Sequence, residues 1–101
     1  MKRVRPDPAE LQRAEDAIRR LWEEGCPVAQ DAPATARVAL RRWYSAERRH
    51  GRSPSRDIRI NDVANGLIET FEQDPKGVGP LKKDYLCVAE AVATALEERT
   101  E

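Results

Sequence analysis

Apolar side chains recur along this chain at the spacing of one helical face, and clusters of polar breakers interrupt them three times. The first run, Leu11, Ala14, Ile18, Leu21 and Trp22, follows Asp7-Pro8-Ala9-Glu10. There Asp7 can cap a helix, Pro8 suits its first position and Glu10 completes a capping box, while Gly25 and Pro27 end the run. The second run opens at Asp31 and Pro33 and meets no breaker before Gly51. On a wheel of about 100° per residue, Ala36, Ala39, Leu40, Trp43 and Ala46 share one side. Arg37, Arg41, Ser45, Arg48 and Arg52 share the other, with Arg42 and Arg49 flanking that cationic row.

Beyond the turn Gly51-Arg52-Ser53-Pro54-Ser55, Ile60, Val63, Ala64, Leu67, Ile68 and Phe71 keep the helical pattern without a miss. Two starts are open for this third helix. Ser53-Pro54 caps it early, or Asn61-Asp62 caps it late and leaves Arg56 to Ile60 extended. With the late start, a short strand would precede two helices in the order of a ribbon-helix-helix repressor, over less than half of the chain, and no family is identified from that order. Gly66 inside the helix costs about 1 kcal/mol against Ala and points to a close approach. Asp74-Pro75-Lys76-Gly77-Val78-Gly79-Pro80 is the last breaker, followed by Leu81, Tyr85, Val88, Ala89, Val92 and Leu96. Alanines at 89, 91, 93 and 95 thin this final helix and give it the expected place at the centre.

The expected fold is all-α: a compact bundle of about four helices, near 7–24, 33–50, 56–73 and 80–98, forming one domain over residues 1–101. Fourteen of the residues counted as hydrophobic are alanines, so few large side chains remain for a core. Trp22, Trp43, Leu40, Leu67, Ile68, Phe71, Leu86, Val92 and Leu96 are the candidates, and Cys87 reads as a small core residue. A core this lean gains from a partner, and a homodimer closed over Trp22 or Tyr44 is one arrangement that supplies it.

Net charge is zero, which excludes a chain that binds polyanions by being basic throughout. The charge is unevenly placed, however. Residues 1–36 carry six cations and seven anions, residues 37–59 carry eight arginines against Glu47 and Asp57, and residues 60–101 carry four cations and nine anions. The positive block is the second helix and its turn, with Trp43 and Tyr44 interleaved.

Catalytic and cofactor motifs are sparse. His50 is the one histidine, so neither a site with two imidazoles nor a separate histidine base can be assembled around it. Cys26 and Cys87 lack metal-ligand spacing, and Gly77-Val78-Gly79-Pro80 reads as a turn and not as a phosphate loop. Paired carboxylates such as Glu23 with Glu24, Glu69 with Glu72, and Glu97 with Glu98 fall on solvent faces or helix ends. No cofactor or metal is implied, and a non-enzyme is expected. With no bilayer-length apolar run and no signal-peptide pattern, the expected setting is cytoplasmic and away from membranes.

Function then rests on surfaces. The expected activity is that of a small helical interaction module, adaptor or inhibitor, of the kind many phages and mobile elements encode. It would dock a protein partner with an acidic surface through Arg37, Arg41, Arg42, Arg48, Arg49, Arg52 and Arg56. The alternative uses the same arginines to bind DNA or RNA as nucleic-acid phosphates, with neighbouring aromatics stacking on bases. Internal pairing with the acidic helices is the competing use of that face.

Overall fold

Every helix that the sequence announces is formed. The computed structural model describes residues 7–72 and 82–97, which form α1 (Pro8–Glu23), α2 (Ala32–His50), α3 (Arg56–Phe71) and α4 (Lys82–Glu97). A single 3-10 turn, Pro27–Ala29, connects α1 to α2, and there is no strand among the described residues. The Asp74–Pro80 breaker lies outside the described residues.

Local chemistry sets the helix ends. Asp7 accepts from the Ala9 amide and Asp31 from the Ala34 amide, each at 3.2 Å, which satisfies donors that the first turn leaves without intrahelical partners. Glu10, read from sequence as half of a capping box, is instead buried at 5% exposure, and its carboxylate accepts from the Tyr44 hydroxyl. At the other end of α1 the Cys26 amide reaches the Leu21 carbonyl at 2.9 Å and the Gly25 amide reaches Trp22 at 3.0 Å. This is a Schellman closure, and Gly25 supplies its positive φ of 101°. α3 starts at neither expected cap. Ser55 accepts from the Ile58 amide at 3.2 Å, so Arg56 to Ile60 is helical and the strand of the late-start reading is not formed.

Contacts between helices give the topology. Glu10 meets Tyr44, Arg49 meets Asp62, Arg42 meets Glu69, Arg56 meets Glu97 and Glu72 meets Tyr85. In the α2/α3 and α3/α4 pairs one residue number rises as the other falls, so these neighbours run antiparallel. The helices form a ring in which α1 packs on α2 and α4, and α3 packs on the same two, with little contact across the diagonal from α2 to α4. α4 is therefore a corner of the ring and not its centre. Its face Lys83, Cys87, Glu90, Thr94 and Glu97 is exposed, and Cys87 lies in solvent and not in the core.

The core is filled by Ile18, Leu40, Val63, Leu67, Val88 and Val92, and fully buried alanines on all four helices bring the backbones close. Trp22 at 47% exposure and Phe71 at 38% fall outside it, contrary to expectation. Both sit in the last turn of a helix, where the apolar arc runs past the neighbours that would cover it. Tyr85 is 3% exposed and its hydroxyl donates to Glu72 at 3.2 Å. Burial, with the Glu72 charge and hydrogen bond added, pushes its phenol up to about 12. Among the described residues no helix is long and apolar enough to cross a membrane.

Gly66 marks a close approach, as its sequence position suggests, but of a side chain and not of a helix. A Cβ at this position would lie 2.6 Å from Nε and 2.8 Å from Cδ of Arg42, whose stem crosses α3 there. Gly66→Ala should therefore destabilise the protein by about 1–3 kcal/mol through overpacking. In an Arg42→Ala background the same change should stabilise by about 1 kcal/mol, the ordinary helix-propensity gain. Urea unfolding of the four proteins checks this, and a stabilising Gly66→Ala in the wild type would contradict it.

Candidate functional site

The seven arginines singled out from sequence do not form one surface. Five of them leave α2 on two sides, Arg52 is in the turn that follows, and Arg56 opens α3. Arg42 and Arg49 project about 80–100° from the centre of the cationic row, toward α3. There α3 presents Arg59, Asp62, Gly66 and Glu69, spaced three, four and three residues apart so that they form one stripe.

Asp62 is the centre of this junction, with a side chain 4% exposed. Arg49 donates to both carboxylate oxygens, from Nη2 at 2.6 Å and from Nε at 3.1 Å. His50 Nε2 lies 3.2 Å from Oδ1, and Arg42 Nη2 lies 3.8 Å from the same oxygen. Burial pushes the Asp62 carboxyl up. The hydrogen bonds from Arg49 and His50, with the charges of Arg49 and Arg42, outweigh it and hold the group below its ordinary value of 3.8.

Other polar groups at the junction are similarly engaged. Arg42 Nε donates to the Asp62 carbonyl and Nη1 to Glu69, both at 3.4 Å. Ser45 Oγ accepts from Arg49 at 2.7 Å. Arg59, absent from the sequence-derived set, donates to the Trp43 carbonyl at 2.6 Å and to Glu47 at 3.4 Å. Its guanidinium stands 5.4 Å from the centre of the Trp43 ring. Arg56 turns to α4, where Nε meets the Glu97 carboxylate at 2.9 Å and Nη2 meets the Thr94 hydroxyl at 3.4 Å. No buried side-chain nitrogen or oxygen among the described residues lacks a partner.

Arg37, Arg41, Arg48 and Arg52 remain. All four are exposed and none has an ion pair or side-chain hydrogen bond among the described residues. The first three lie within about 40° of one line along α2, and Arg52 is in the turn after it. At about 1.5 Å per residue, Arg37 to Arg48 spans roughly 16 Å of helix. The aromatics that interleave these residues in sequence are engaged elsewhere, Trp43 beneath Arg59 and Tyr44 on Glu10.

Other chemistry is thin among the described residues. No group of three or more His, Cys, Asp or Glu is gathered to hold a metal ion. Burial pushes the Cys26 thiol up, away from a reactive thiolate. Open grooves of about 260–280 Å³ lie between α1 and α4 and between α2 and α3, at or below the small end of cofactor pockets.

Sequence reasoning missed Asp62 as a partner because it read Asn61-Asp62 as one of two caps open to α3. The 3-4-3 spacing of Arg59, Asp62, Gly66 and Glu69 opposite Arg42 and Arg49 was the available signal. Comparisons of the chain with protein-family models, with curated proteins and with solved structures find no match.

The lowered Asp62 group makes a pH dependence. A carboxyl whose folded value is depressed contributes stability that is complete above its unfolded value and is lost as the pH falls through the folded one. Thermal unfolding of the wild type should therefore fall more steeply below about pH 5 than that of Asp62→Asn. At pH 7 the variant should be less stable by about 1–3 kcal/mol. Parallel pH profiles for the two proteins would refute the assignment.

Proposed function

We propose that this chain is a non-catalytic docking module that binds an acidic protein surface along the outer arginines of α2 and the turn after it, namely Arg37, Arg41, Arg48 and Arg52. The observation that carries the reading is the division of the arginines. Arg42, Arg49, Arg56 and Arg59, which turn to a neighbouring helix from the positive segment, each have a carboxylate or carbonyl, whereas the outer row has neither among the described residues. Planar guanidinium groups in such a row suit carboxylates, which they engage in bidentate fashion. Base stacking, which a single-strand nucleic-acid site would use, has lost its two candidate aromatics to internal contacts. The inner arginines hold α2 against α3, so Arg37, Arg41 and Arg48 are presented from a fixed helix, with Arg52 in the turn that follows it.

Fluorescence anisotropy tests the reading, with the protein titrated into a labelled glutamate-rich peptide, duplex DNA and single-stranded RNA at two salt concentrations. The peptide should bind, and Arg41→Ala, Arg48→Ala and Arg52→Ala combined should weaken it by about tenfold or more, equivalent to about 1.4 kcal/mol. Because these side chains have no ion pair or side-chain hydrogen bond among the described residues, the melting temperature of the triple variant should stay within about 2 °C of the wild type. Peptide binding unaffected by the triple change would overturn the proposal. Preferential binding to duplex DNA, weakening steeply with salt, would transfer the row to phosphate recognition.

A further inference from the structure

The outer row borders the groove between α2 and α3, and the groove has the makings of a receptor for one side chain. Its lining is Val38, Arg41, Arg42, Gly66, Glu69 and Thr70, and its volume of about 260 Å³ lies below the usual range for small-molecule pockets. Arg41 stands at its rim, exposed and without a partner among the described residues. Arg42 crosses the groove with its stem over Gly66, where a Cβ would displace it.

Two sides of the Arg42 guanidinium differ. The Nε side faces the Asp62 carbonyl, and Nη2 faces the buried Asp62 carboxylate. Nη1 faces the groove and holds Glu69 at 3.4 Å, longer than the roughly 2.7–2.9 Å of a tight charge-assisted bond. The Glu69 side chain is 67% exposed, so water can replace Arg42 around it with little loss. Thr70 adds an exposed hydroxyl, and half-buried Val38 adds an apolar wall for a methylene stem.

We infer that this groove receives a single Asp or Glu side chain of the acidic protein partner, between Arg41 and Arg42, and that Glu69 occupies Arg42 in its absence. The inference rests on the reading of the α2 row as a docking face. Charge complementarity selects the occupant: the groove offers two guanidinium groups, one with no carboxylate among the described residues and one holding a carboxylate that is free to leave. On binding, the Glu69 carboxylate swings into solvent, and the incoming carboxylate accepts from Nη1 of Arg42 and from Arg41.

The test is the glutamate-rich peptide titration with Glu69→Gln and, as a charge-matched control, Glu47→Gln. Glu47 is also exposed, at 58%, and pairs at 3.4 Å with Arg59, outside the groove. Removing the competing carboxylate should tighten binding by about three- to tenfold for Glu69→Gln, while Glu47→Gln gives less than about twofold through its charge alone. In the wild type, the Thr70 amide resonance should move on peptide addition. Equal effects of the two substitutions, with binding still abolished by the arginine triple, would overturn the groove and leave the docking face standing. A peptide that ignores the arginine triple would overturn the docking face and the groove with it. If Glu69→Gln tightens duplex DNA and not the peptide, the carboxylate occupant is wrong.

Discussion

The arrangement depends on one buried charge. Asp62 lies at 4% exposure in the contact between α2 and α3, and a carboxylate taken from water there costs several kcal/mol unless it is paired and hydrogen-bonded. Arg49 and His50 in the last turn of α2 and Arg42 about two turns before them supply that pairing. A different register of α2 on α3 would strand the acid, at a cost of about 3–5 kcal/mol for a broken buried pair. The carboxylate is therefore less a source of net stability than a selector of one alignment. In a core filled largely by alanines and valines, where apolar packing alone discriminates weakly between neighbouring registers, such a selector has a large effect.

Two further interfaces carry their own polar ties: Tyr44 on Glu10 between α1 and α2, with Arg56 on Glu97 and Tyr85 on Glu72 holding α4 to α3 and the residue after it. Arg42, Arg49, Arg56 and Arg59 of the positive segment are thus engaged between helices. What is left points outward as a row. The docking proposal follows from this division, since a row that the fold does not need is a row that a partner can use. The same contacts fix the helix that carries it, and ordering a preformed helix face on binding loses less entropy than ordering a loop.

Helix positions were legible because caps and breakers act locally: Asp7, Asp31 and the Gly25 closure are recognised from adjacent residues alone. The apolar arc was legible along each helix but not its coverage. Trp22 and Phe71 continue the pattern into terminal turns where their rings stay partly exposed, and Cys87 lies on a helix whose alanines make several faces look buried. For the candidate site, the wheel already set Arg42 and Arg49 apart from Arg37, Arg41 and Arg48. The α3 wheel likewise set Arg59, Asp62, Gly66 and Glu69 in one stripe, but that the stripe lies opposite arginines thirteen and twenty residues from Asp62 depends on how α2 and α3 align, which spacing within one helix does not settle.

The most direct measurement is an NMR spectrum of the arginine Nε–H groups in the folded protein at neutral pH. The account requires shifted, slowly exchanging signals for Arg42, Arg49 and Arg56, whose Nε atoms donate to Asp62 and Glu97, and averaged, fast-exchanging signals for Arg37, Arg41, Arg48 and Arg52. If all seven exchange alike, or if the outer four are the protected ones, the division of the arginines fails, and the docking face derived from it fails as well.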